Sequence, residues 1–152
     1  MFKKTILSNN LRVITIPMQG VTTATILVMV NTGSNNETKE INGISHFLEH
    51  MFFKGTKRRP DTQMIAEEID AMGGYSNAFT SREHTGYYLK VPAQKFEQAL
   101  DLISDIFFNS LLKQSEVEKE RGAILQELNM ILDDPRRYIG YVFEKLLYGD
   151  QP

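Results

Sequence analysis

The first third of the chain is patterned for extended backbone. Residues 3–7 and 11–17 hold runs rich in Ile, Val, Leu and Thr on either side of Ser8-Asn9-Asn10. Asn tolerates left-handed backbone angles, so this tripeptide predicts a turn between two short strands. Pro17 closes the second strand, because it cannot donate to a central ladder. Residues 22–32 are dense in Thr, Ile and Val and predict a buried strand. Gly33 to Asn36 break it, and the polar stretch 33–42 predicts a loop.

From Ile44 to about Phe52 the period becomes helical, with no Pro or Gly inside. Lys57-Arg58-Arg59-Pro60 reads as a solvated basic connector. Asp61 or Thr62 can cap a helix running to Met72, with Met64, Ile65, Ile69 and Met72 on one face. Gly73-Gly74 ends it. Residues 75–80 and 84–91 predict a hairpin around Ser81 and Arg82. In 94–109, Phe96, Leu100, Ile103 and Phe107 recur at helical spacing. A longer helix is expected from about Ser115 to Leu132, stopped by Asp133-Asp134-Pro135. A last helix covers 137–148 and ends at Gly149. Strands and helices are segregated and the hairpins are antiparallel. The pattern therefore predicts an α+β fold, a mainly antiparallel sheet with helices packed on it. No linker and no repeat divides the chain.

Composition narrows the chemistry. The 152 residues are 41% hydrophobic and 24% charged, which suits a folded domain rather than disorder. There is no cysteine, which excludes a disulfide scaffold, a thiolate metal site and a cysteine nucleophile. A net charge of -2 gives no electrostatic footprint for nucleic acid. The longest apolar run, Ile26 to Val30, is far short of a membrane span. The expectation is a soluble, cytoplasmic chain with no nucleic-acid or membrane partner.

The chain has three histidines, and two of them lie in His46-Phe47-Leu48-Glu49-His50. On a helix, positions i and i+4 lie one turn apart on one face, so both imidazoles can reach one ion. Zinc accepts neutral His nitrogen and wants four ligands, one of them left to water at a catalytic site. Glu49 is placed beside such an ion rather than on it. The trio is the His-Glu-x-x-His pattern with the chain direction reversed. A third ligand is needed, and a carboxylate from the 115–132 helix is the natural source: Glu116, Glu118, Glu120 or Glu127. Glu127 stands out because Ile124, Leu125, Leu128, Met130 and Ile131 surround it, and a carboxylate on an apolar stretch must be paired or coordinated. The competing reading makes Glu127 an exposed flank of an amphipathic helix. Glu120 lies two turns earlier, about 20° off the same face.

These residues carry a family resemblance. His46-x-x-Glu49-His50, preceded by Gly43-Ile44-Ser45 and followed by Phe53-Lys54-Gly55-Thr56, resembles the pitrilysin-type zinc metallopeptidases, peptidase family M16. So do Gly73 to Thr80, Glu120 to Glu127, Asp133-Asp134-Pro135 and Tyr148 to Pro152. The resemblance implies an M16-like fold and a zinc metalloendopeptidase that cleaves extended peptides or unfolded segments. It places the metal on His46, His50 and Glu127, the general base on Glu49, and a supporting catalytic acid on Glu120. It makes Asn77, Ala78 and Phe79 part of an edge strand that receives substrate by strand addition. Subunits of that family have two related halves, each longer than this chain. Residues 1–152 are thus expected to be one catalytic-type N-terminal domain, truncated within the first half, whose partner is a second M16-like half. The alternative is a metal-binding fragment or partner subunit that is not catalytic by itself. S-ribosylhomocysteine lyases share the motif, but their chemistry needs cysteine, which this chain lacks.

Overall fold

A computed structural model describes residues 1–149; Asp150, Gln151 and Pro152, the end of the last motif, lie outside the described residues. β1 (Lys3–Ile6) and β2 (Arg12–Thr15) pair antiparallel across a turn that holds Asn10 at φ 66°. They form a sheet of their own. A second antiparallel sheet contains β3 (Thr23–Val30), β4 (Tyr75–Thr80) and β5 (Thr85–Pro92) in the order β3-β5-β4. The helices are α1 (Ile44–Phe52), α2 (Thr62–Ala71), α3 (Phe96–Asn109), α4 (Gln114–Leu132) and α5 (Pro135–Tyr148). The architecture is mixed helix and antiparallel sheet, as the pattern predicts. Among the described residues, no helix is long and apolar enough to cross a membrane.

The core lies between the three-stranded sheet and α2 and α3. Tyr87, Leu89 and Val91 of the central strand β5 meet Ile65 and Ile69 of α2 and Ala99, Leu102, Ile103 and Ile106 of α3. Each fully buried Leu or Ile contributes roughly 1.5–3 kcal/mol. Three expectations are corrected here. β3 is half-buried rather than buried: Ile26, Val28 and Val30 pack on the core while Leu27 and Met29 are exposed. It is an edge strand with one covered face, so its side chains alternate. On α3, Phe96 and Leu100 are exposed, and the buried stripe is Ala99, Leu102, Ile103 and Ile106. On α2, Met64 is exposed while Ile65, Ile69 and Met72 are buried. The last helix also starts earlier than expected, at Pro135, with the Asp134 side chain accepting from Arg136 N–H. The 33–42 loop contains two single 3-10 turns, Ser34–Asn36 and Lys39–Ile41.

The basic connector after α1 is not a solvated turn. Arg59 is 8% exposed, and its guanidinium reaches Glu68, Asp101 and Asp105. Asp105, on the buried face of α3, also accepts from Thr56 Oγ1 at 2.6 Å and Asn109 Nδ2 at 2.9 Å. Burial works against ionisation of Asp105, yet these hydrogen bonds outweigh it and its pKa falls to about 2. Arg59, bonded above all to Glu68, is held above its ordinary pKa despite burial. The Thr56–Arg59 turn is thereby riveted to α3. Gly55 makes the turn possible: its φ is 128°, and a Cβ there would sit 2.6 Å from the Pro60 carbonyl oxygen.

Candidate metal centre

α1 carries the paired imidazoles, and its entry is tied down by a side chain with no local sequence signal. The Glu37 carboxylate accepts from the backbone N–H groups of Gly43 at 2.6 Å and Ser45 at 2.8 Å. Burial opposes its ionisation, but the two N–H bonds hold its pKa below the usual carboxylate range. A carboxylate at that end of the helix also complements the helix dipole. Gly43, at φ 88°, provides the bend into the first turn.

The i, i+4 spacing then brings His50 Nε2 to 3.2 Å from His46 Nε2. α4 packs against α1 and delivers Glu127 to the same point. Its Oε2 lies 3.6 Å from His46 Nε2 and 3.7 Å from His50 Nε2. Among the described residues, this is a group of three donors able to share one ion. The spacing suits a tetrahedral metal: ligands about 2.0–2.2 Å from a centre lie about 3.4 Å from one another. Donor chemistry and edge lengths both fit a divalent ion of the zinc type.

His50 is the better anchored of the two imidazoles. Its Nδ1 meets Glu120 Oε2 at 2.9 Å, which leaves Nε2 free to face the centre. Glu120 therefore sits on the far side of the ring from Glu127, behind His50. Lys54 Nζ lies 2.6 Å from its other oxygen. Burial raises the pKa of Glu120, but Lys54 and His50 more than compensate and it is held low. Glu127 is half-exposed, its side chain at 49%, and Leu125, Leu128 and Met130 around it are exposed too. The expected apolar burial of Glu127 is corrected: the carboxylate lies on an open rim, and the buried acid on α4 is Glu120.

Glu49 points toward β4, where its Oε2 accepts a short hydrogen bond from Thr80 Oγ1. An open cleft of roughly 440 Å³ runs from Glu49 and His50 past Phe53 to Ser76, Asn77 and Ala78. Among the described residues β4 pairs only with β5, which leaves its other edge free along Asn77, Ala78 and Phe79. Phe79 lies across Gly86. His84 stands at the β4–β5 turn, edge-on to Phe79, outside the donor cluster.

The geometry thus brings His46, His50 and Glu127 together, sets Glu120 behind them and Glu49 beside them, and lays 77–79 along a free strand edge. Sequence reasoning missed Lys54, Thr80 and Glu37. Lys54 stands four residues past His50, the same spacing that pairs the two histidines. Thr80 and Glu37 act across space and carry no such mark.

Comparison with known proteins gives one consistent answer. The model of the insulinase family, peptidase family M16, matches residues 12–147. The chain is 42% identical over 150 residues to an uncharacterised zinc protease of Bacillus subtilis, covering 99% of this chain and 36% of that one. It is 50% identical over 129 residues to the beta subunit of the mitochondrial-processing peptidase of Dictyostelium discoideum, covering 85% of this chain and 27% of that subunit. Among solved structures, a protease from Helicobacter pylori superposes with a TM-score of 0.84 at 29% identity, over 91% of this chain and 33% of that chain. Pitrilysin superposes with a TM-score of 0.75 at 29% identity, over 86% of this chain and 14% of that one. The chain spans about a third of the length of the curated relatives it matches.

Proposed function

This chain belongs to the insulinase family of peptidases, family M16, and from that premise we propose that its metal centre hydrolyses peptide bonds in extended or unfolded polypeptide, as a zinc metalloendopeptidase. The family is zinc-dependent, and relatives are named zinc proteases. The observation that carries the reading is the convergence of His46, His50 and Glu127 on one point at 3.2–3.7 Å.

His46, His50 and Glu127 would hold the ion, with His Nε2 atoms and the Glu127 carboxylate as the available donors. When bound, zinc supplies Lewis acidity, which makes water a nucleophile near neutral pH and polarises a carbonyl. Glu49 takes the proton of the attacking water and passes it to the departing amine nitrogen as the C–N bond breaks. Thr80 holds one oxygen of Glu49, so the other stays available for the proton. Glu120 keeps the His50 ring turned so that Nε2 faces His46 and Glu127. The free edge of β4 offers backbone N–H and C=O groups to an extended peptide, which it binds without reading its sequence. Asn77, Ala78 and Phe79 lie along that edge. A second M16-like half completes the substrate chamber; the chain's one-third coverage of its relatives supports that part of the reading.

The test separates metal from chemistry. The whole chain is assayed for zinc by elemental analysis, then for hydrolysis of an unfolded polypeptide, alone and mixed with a separately produced second half from a relative. His50→Ala is expected to lose the metal. Glu49→Gln is expected to keep the metal and lose hydrolysis. Full zinc in His50→Ala overturns the ligand set, and normal turnover by Glu49→Gln removes Glu49 as the base.

A further inference from the structure

The metal reading uses His46, Glu49, His50, Glu120 and Glu127 and leaves one charged side chain of the same cluster without a role. We propose that Lys54 is a positioning residue of the zinc site, acting on His50 through Glu120. The inference rests on the metal-site reading above.

Lys54 follows the end of α1, four residues after His50. Its Nζ is 2.6 Å from Glu120 Oε1, while Oε2 of the same carboxylate is 2.9 Å from His50 Nδ1. One carboxylate is thus gripped at both oxygens by different donors, and the grip spans α1 and α4. The three side chains are 24%, 11% and 20% exposed, against 41% for His46 and 49% for Glu127. The open site therefore rests on a shielded base. The backbone that launches Lys54 is also held: Lys54 N–H donates to Met51 C=O, and the Gly55 carbonyl accepts from Leu111 N–H at 3.0 Å.

A Glu side chain has three rotatable bonds, so it orients His50 only if something fixes its carboxylate. The ammonium does that. Without it, a carboxylate that is 11% exposed loses its one lysine partner. Leaving such a charge buried with its other oxygen unbonded and no lysine countercharge is costly. The least costly response is to swing toward water, which takes the acceptor away from Nδ1 and releases the ring. A competing effect exists, since an ammonium also repels a dication. That charge is matched at 2.6 Å by a full carboxylate, so the pair's field at a distance is a dipole's and the positional effect dominates.

The test is a double-mutant cycle on the whole chain, read as the zinc dissociation constant by competition with a chromogenic chelator. Lys54→Met is expected to weaken zinc roughly tenfold, the lower end for partners of a ligating histidine. Lys54→Arg, which keeps a cation and a donor, is expected to restore most of the affinity. In a Glu120→Gln background, Lys54→Met is expected to change nothing further, because the route to His50 is already cut. Unchanged or tighter zinc binding by Lys54→Met overturns the proposal, as does an equal loss in both backgrounds. If metal-free Lys54→Met does not fold, Lys54→Gln carries the same comparison. A parent chain that takes up no zinc refutes the metal-site reading itself; a parent that binds zinc, with Lys54→Met binding it equally well, refutes the role of Lys54 alone.

Discussion

Replacing Asp105 with Asn tests whether the turn after α1 is held by charge. Asp105 is 1% exposed and accepts from Thr56, Arg59 and Asn109. Asn keeps the shape and removes the charge. Breaking a buried pair by neutralising one partner costs about 3–5 kcal/mol. Arg59 still has Glu68 and Asp101, so the lower end, about 3 kcal/mol, applies. A separate route agrees. The Asp105 pKa falls from 3.8 to about 2 on folding, and at 1.36 kcal/mol per pH unit that depression is worth about 2.5 kcal/mol. The sign follows from the depressed value: the contribution is complete above the unfolded pKa near 4 and is lost as pH falls toward 2. Urea unfolding of parent and Asp105→Asn at a series of pH values reads both numbers. The stability gap should be about 3 kcal/mol at pH 6 and should shrink steadily below pH 4. A gap under about 1 kcal/mol at pH 6, or one that does not change with acid, would show that the rivet is packing rather than charge.

Two further outcomes follow from the same neighbourhood. Gly55→Ala forces a side chain into a backbone at φ 128° with a carbonyl oxygen 2.6 Å away; it should destabilise the chain by about 1–3 kcal/mol in thermal or urea unfolding, and a neutral result would mean the turn rearranges freely. Tyr87, 3% exposed, is pushed by burial, and secondarily by the charge of Glu49, up to about 12. In a spectrophotometric titration of the folded chain it should ionise later than an ordinary tyrosine, and a Tyr87→Phe chain should lack that late step. Because the folded pKa is raised, the stability tied to Tyr87 is complete below pH 10 and declines above it.

Much of the architecture was legible because it depends on local rules. The Asn10 turn, the Asp61 cap, the glycine stop at 73–74 and the 44–52 helix each follow from one residue's backbone preference or from a short period. The i, i+4 pair His46 and His50 belongs to the same class, since a helix alone places both rings on one face. Glu127 was singled out on the premise of apolar burial, yet it lies on an exposed rim; what brings it to the histidines is the packing of α4 on α1. On α3 the period through Phe96, Leu100, Ile103 and Phe107 runs along the margin of the buried face rather than its centre. The smaller Ala99 and the charged Asp105 lie inside, since Asp105 has partners waiting there.

What the sequence determined by itself was the inventory and the local frame: the elements in order, the paired imidazoles, the acids available, and the absence of thiol chemistry. Tertiary structure decided how those pieces meet. Arg59 became a buried anchor instead of a solvated charge because three acids from α2 and α3 surround it. Glu120 is buried against His50 because the packing of α4 on α1 brings His50 and, just past the helix end, Lys54 to its two oxygens. Thr80 reached Glu49 because β4 runs under α1. Apart from Arg59–Glu68, these contacts join residues far apart in the chain, where spacing carries no information and only the packed geometry sets which group faces which.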